Sequence, residues 1–247
     1  PVNVITAFRR KKVVRLLWVT PLASVALSLI LMGVIVLVDG FGGTGERSLT
    51  VFLAPEAGLE VLTQEQISRT GVLLRRQFTL PQGAVMFPAS LHPNQRVSGR
   101  HRLEGDRWDG DWFRSRNLQA QVLQHSRPSR SRIEVASGPE GPSVFSTLDD
   151  HLTLLYLRDG EGRYWKAEDL HAGQRQTLQA TTQQEARQFV DSLRLRPNEA
   201  VVPVRGNGTF VAVSAPRKDG FLETLPSIRW GARSIRYTGM IVERSAP

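Results

Sequence analysis

The sequence predicts a mainly β protein: one transmembrane α-helix followed by an extracytoplasmic, mainly antiparallel β-sandwich-like domain with one or two short helices. Three observations carry this. Residues 16–38 contain no charged side chain. Arg9, Arg10, Lys11, Lys12 and Arg15 stand directly before that run. Beyond residue 48, apolar residues recur mostly at every second position, between turns rich in Gly, Pro and Asp.

The uncharged run comes first. At 1.5 Å per residue it reaches about 34 Å as a helix, against a hydrocarbon core of about 30 Å. Pro21 and Gly33 lie inside it, and both are tolerated in spanning helices. Trp18 sits where an indole rests among headgroups. A cleavable signal has a shorter apolar core and a small-residue cleavage site, and "DGFGGTGERS" is a poor one. A buried helix of a soluble protein does not need apolar faces all round over this length. The basic cluster faces only Asp39 at the other end, so the positive-inside rule puts residues 1–15 in the cytoplasm and the rest outside. The same cations and Trp18 can touch anionic lipid.

The elements after the helix follow in order. Residues 39–48 are Gly-rich and read as a flexible tether. Residues 49–247 form the β-rich domain. Leu49, Val51 and Leu53 alternate with Thr50 and Phe52; Val72, Leu74, Phe78 and Leu80 share one face, with Arg75, Gln77 and Thr79 on the other; Ile133 and Val135 alternate with Arg132 and Glu134. Leu152, Leu154 and Tyr156 lead into the turn Asp159-Gly160 and on to Tyr164 and Trp165. Residues 201–213 read as two strands around Gly206-Asn207-Gly208, and "SIRYTGMIVE" as a last one. Thr182 to Glu185 fits a capping box, with Ala186, Phe189, Val190 and Leu193 at helical spacing and Pro197 as the stop. Thr63 to Gln66 opens a possible shorter helical turn ending at Gly71, and 117–125 fits either strand or helix. The helix near 181–198 is a candidate boundary between a larger and a smaller β unit.

Composition excludes several chemistries. With no cysteine there is no disulfide framework, thiolate nucleophile or cysteine metal site. No G-x-S-x-G elbow, P-loop or dinucleotide fingerprint is present, and no cofactor is indicated. His92, His101, His125, His151 and His171 form no metal-pair motif. Asp106, Asp109 and Asp111 could offer oxygens to Ca²⁺, but their spacing is not that of an EF-hand. The competing reading is a turn at Asp109-Gly110, with Trp108 and Trp112 packed on the sheet. Asn207-Gly208-Thr209 matches a glycosylation sequon and is better read as a turn. No catalytic residue and no metal ligand is assigned.

The chain stays net positive when the juxtamembrane cations are set aside. Arg96, Arg100, Arg102, Arg114, Arg116, Arg127, Arg130 and Arg132 are the candidate surface for a polyanion, a lipid headgroup or an acidic protein. The alternative is an ordinary solvated face, each Arg paired to a local acid. Nucleic acid is not an expected partner of a domain outside the membrane.

Some stretches resemble a known group. Pro1-Val2-Asn3, Arg9 to Lys12 and "LLWVTP" at 16–21 are similar to a junction in large, uncharacterised bacterial multi-helix membrane proteins. These carry a Gly-Pro-Val-Asn-like juxtamembrane loop and are often associated with ABC-type exporters. "TQEQISRTGVLLRRQF" and "GDWFRSRNLQAQ" also look like segments of that group. The resemblance implies a protein partner in the membrane, a further helix upstream of Pro1, and residues 1–15 as an inter-helix loop. It transfers no active-site residue. The expected function is a non-enzymatic, membrane-anchored binding or accessory protein of the bacterial inner membrane. The alternatives are an envelope hydrolase with a carboxylate or Ser/His site, and a sensor with an upstream output domain.

Overall fold

The computed structural model describes residues 13–91, 99–138, 141–193, 206–215, 217 and 219–244. An apolar helix, α1 (Val13–Asp39), is followed by a β domain in which about half of the chain is strand. Its side chains Leu22, Val25, Leu29 and Leu31 are all exposed, and it is long and apolar enough to cross a membrane. Pro21 lies within it.

The strands are β1 (Gly43–Ala54), β2 (Leu59–Thr70), β3 (Phe78–Thr79), β4 (Val85–Ala89), β5 (His101–Glu104), β6 (Arg107–Gly110), β7 (Leu118–Pro128) and β8 (Ile133–Ala136). They continue with β9 (Ser143–Ser146), β10 (Leu152–Arg158), β11 (Tyr164–Leu170), β12 (Arg175–Thr177), β13 (Gln179–Thr181), β14 (Thr209–Ser214) and β15 (Ile228–Arg244). The second helix, α2 (Gln183–Ser192), starts where the capping box predicts, with Thr182 accepting from the Glu185 amide.

The main path runs β13-β11-β10-β14-β15-β1-β2-β7-β4. Pairing is antiparallel except for β1 with β15 and β15 with β8. The far end of β15 leaves this path to pair β8, which carries β9 and β12. Those short strands lie over one face of the long sheet. Ile133, Val135 and Val144 meet Leu49, Leu155, Leu157, Phe210 and Ile235 in the main core, which gives the sandwich-like layering. On the opposite face α2 packs Val190 against Val211 and Phe189 against Tyr156. A second core forms where β3 and β6, with Trp112, Phe113, Leu222 and Leu225, cover β4, β7 and the start of β15, while β5 pairs with β6 at the exposed edge.

Four expectations are corrected. Residues 63–66 are not a helical turn but lie within β2; Gln64, Gln66, Ser68 and Thr70 all point inward and are buried. These glutamines tie two covering segments to the sheet. Gln64 exchanges hydrogen bonds with the Leu222 backbone, Gln66 donates to Gln121, and Gln121 donates to the Trp112 carbonyl. The tether expected at 39–48 is mostly strand, because β1 begins at Gly43. A Cβ on Gly45 would lie 2.4 Å from the Trp230 ring, so this glycine serves close packing rather than flexibility. Residues 72–77 do not continue an alternating strand, and Leu74 is fully out in solvent. Finally, α2 does not divide the β domain: β14 and β15 after it fill the middle of the sheet. Residues 117–125 resolve as strand, in β7. Of the two strands expected around Gly206-Asn207-Gly208, the second is β14; the first lies outside the described residues.

Candidate functional site

The end of α1 is built into the sheet. The Gly40 carbonyl accepts from the Val72 amide at 2.9 Å, and the Gly42 amide donates back to Val72 at 3.0 Å. The Gly71 amide donates to Gly42 at 2.7 Å, while its own carbonyl accepts from Arg116 at 2.9 Å. Arg116 holds a left-handed φ of 58° and sets its guanidinium Nε 2.6 Å from Asp39 Oδ2. A Cβ on Gly71 would lie 2.2 Å from the Asp39 carbonyl oxygen, so any other residue there must shift the junction. Helix and domain meet without slack.

Among the described residues the candidate arginines fall at two ends of the domain. Arg116 and Arg127 flank or end β7, whose eleven residues span about 35 Å at roughly 3.3 Å each. Arg100, Arg102, Arg114 and Arg116 belong to the end that carries the helix root and the β5–β6 hairpin. Arg127, Arg130 and Arg132 belong to the other end. Several meet local acids, as the ordinary-surface reading expects. Arg114 faces Asp111, Arg127 pairs with Glu60, and Arg132 and Arg244 share Glu134. Arg96, Arg9, Arg10, Lys11 and Lys12 lie outside the described residues, as does His92. Arg15 lies in the first turn of α1, and Trp18 is exposed on it.

Sequence reasoning missed Arg69 and Arg229. They sit on either side of Thr44, in direct register across β2, β1 and β15, and both are exposed. Nothing local signals this, because the pairing joins distant parts of the chain.

Asp109 and Asp111 of the acidic cluster accept local hydrogen bonds. The hairpin turns at Gly105-Asp106 rather than at Asp109-Gly110, and Trp108 and Trp112 pack edge to face at 5.0 Å. Hydrogen bonds from the Gly110 amide and Gln77 side chain hold the Asp109 carboxyl below its ordinary range. The Arg100 amide does the same for Asp111, helped by Arg114 and Arg76. Among the described residues no three His, Asp or Glu side chains group to hold a metal ion. His151 and His171 stack at 4.2 Å with Asp169 3.5 Å from His151 Nε2, and His101 lies against Trp112. Asn207 and Gly208 form a turn fastened to the β10–β11 hairpin through Asp159 and Gly160. Asp150 is occupied by Tyr237 and Arg217.

An open cleft of about 610 Å³ lies between residues 80–85 and the β5–β6 hairpin. Leu80, Pro81, Leu103 and Trp108 give it apolar walls, and Asp106 is its one carboxylate. This is the size of a small-molecule site but brings no acid–base pair together. No protein-family model, curated protein or solved structure matches the chain.

Proposed function

We propose that the protein is a non-enzymatic binding protein anchored in the bacterial inner membrane. Its β domain stands outside the cytoplasm and serves a membrane partner, an ABC-type export complex being the one the resemblance implies. The observation that carries this reading is the helix root: a helix with exposed apolar side chains is hydrogen-bonded straight into a β domain. Such a face is costly in water and at home in lipid. Cations before the helix and only Asp39 after it support the orientation. Purification of the tagged protein in mild detergent, with mass spectrometry of what accompanies it, tests the reading. A stoichiometric transporter subunit is the expected result. Recovery of a lone protein across several detergents overturns the accessory role.

The slack-free junction also favours a second reading, a sensor whose domain moves the helix when ligand binds. Its mark is a ligand-dependent change in cross-linking between helices in cysteine variants along 18–38.

A further inference from the structure

We infer that the helix-root end of the β domain is itself a lipid-binding surface, which lies on the bilayer and holds anionic headgroups; this rests on α1 spanning the membrane. The junction supplies the geometry. With Asp39 ion-paired to Arg116 and Gly40 to Gly42 bonded to Gly71 and Val72, the domain cannot swing away on a tether. Its nearest residues stay within the headgroup layer, roughly 5–8 Å deep on each side.

The side chains at that end match this neighbour. Phe41, directly after the helix, is 61% exposed, and Leu118 at the start of β7 is 53% exposed. Both are large apolar groups left uncovered at the end where α1 enters the domain. Leu118 pairs with Arg69, Arg69 with Thr44, and Thr44 with Arg229, so all four share one face in one row across the sheet. Thr44 lies five residues past Asp39, at most about 18 Å of extended chain. Neither Arg69 nor Arg229 has an acidic partner among the described residues, unlike Arg116, Arg127 and Arg132. Two exposed guanidiniums beside apolar side chains suit a phosphate-bearing interface: the apolar groups enter the acyl boundary and the cations stay at phosphate level. Each such cation adds to the attraction toward an anionic surface.

The experiment uses the full chain, whose lack of cysteine makes single-cysteine variants uniquely labelled. The protein is reconstituted into phosphatidylethanolamine–phosphatidylglycerol vesicles, with an environment-sensitive fluorophore at F41C, L118C, M32C or L59C. Leu59 is an exposed position at the far end of β2. Lipids carrying a spin label at the headgroup or mid-chain act as quenchers. Label at M32C should be quenched by the mid-chain lipid. Labels at F41C and L118C should be quenched severalfold more by the headgroup lipid than label at L59C. Replacing phosphatidylglycerol by phosphatidylcholine, or introducing R69Q with R229Q, should cut the L118C signal by half or more. Headgroup quenching at F41C and L118C no greater than at L59C, with M32C still quenched, overturns this inference and leaves the anchor standing. Loss of quenching at M32C overturns the anchor and the inference together. Quenching indifferent to phosphatidylglycerol overturns the anionic-headgroup part. The lipid exchange needs no substitution in the arginine row, so misfolding of the double variant cannot mask the answer.

Discussion

Arg116 Nε lies 2.6 Å from Oδ2 of Asp39, the last residue of α1, while its backbone amide binds Gly71 in the sheet. One residue therefore ties the helix to the domain twice, once by charge and once by backbone. The guanidinium is more than half exposed, and such ion pairs contribute about 0–1 kcal/mol. Arg116→Ala should accordingly lower stability by less than about 1 kcal/mol. Gly71→Ala forces a methyl into the Asp39 carbonyl and should cost about 1–3 kcal/mol. Urea unfolding of the two variants in the same detergent compares them directly. If Arg116→Ala proves the more damaging, charge rather than backbone holds the junction.

The buried glutamines make a second prediction. In Gln64→Leu the Leu222 amide and carbonyl and the Gln66 side chain all lose a partner inside the protein. Each orphaned group costs about 1–3 kcal/mol. The substitution should destabilise the fold and speed amide exchange across residues 221–225 before elsewhere. Exchange in that segment equal to wild type would show that apolar packing of Leu222 and Leu225 holds the cover by itself.

Asp159 sits under the β10–β11 turn. Burial alone would raise its carboxyl, but hydrogen bonds from Trp165 Nε1 at 2.8 Å and from Arg163 outweigh it, and the group is held below 3.8. A depressed carboxyl stabilises the fold above its unfolded value near pH 3.8 and loses that contribution as pH falls through the folded value. Asp159→Asn should lose about 1.5–3 kcal/mol at neutral pH. The gap to wild type should narrow towards pH 3. Melting curves taken between pH 7 and pH 3 decide it; parallel curves would refute the linkage.

Tyr237 is the alkaline counterpart. Burial first, and then its hydrogen bond to the Asp150 carboxylate, push its phenol above the usual tyrosine range. The neutral phenol stabilises the fold below about pH 10, and this support is lost as pH climbs beyond it. Absorbance titration should show one phenol of the native chain ionising only as the fold opens. That late phase should vanish in Tyr237→Phe. Its persistence would assign the late phenol to Tyr156 or Tyr164.

Charge reversal of Arg9, Arg10, Lys11 and Lys12 should invert or scramble the orientation of α1. A reporter fused after Val242 reads the outcome. A reporter that stays outside shows that another segment sets the orientation.

What was legible in the sequence is what depends on neighbours in the chain. The apolar helix α1 announces itself by its lack of charge, and α2 by Thr182, Glu185 and the spacing of Ala186 and Val190. The β-rich character follows from alternation at Leu49, Val51 and Leu53. β2 was hidden because its inward positions are Gln64, Gln66 and Ser68, so a hydrophobic pattern of period two is absent where the structure has it. The arginine stretch misled for the opposite reason. Residues close in sequence along a strand are far apart in space, so Arg116 and Arg127 part company while Arg69 and Arg229 meet across β1. The glycines of 39–48 suggest slack in the sequence, which does not show what lies against them; Trp230 lies against Gly45.

The placing of β15 governs when the domain can form. It comes after every other described strand in the chain, yet it stands between β14 and β1 and, among the described strands, joins the β13-β11-β10-β14 half to the β1-β2-β7-β4 half. Until Ile228 and the residues after it emerge, the nascent chain holds two half-sheets, with β1 and β14 each presenting an unpaired edge. Closure pairs Gly43 with Ile228, so nearly the whole domain must be held apart and then brought together, a topology that folds slowly. Interrupting the chain just before Ile228 leaves two adhesive edges in place of a smaller domain.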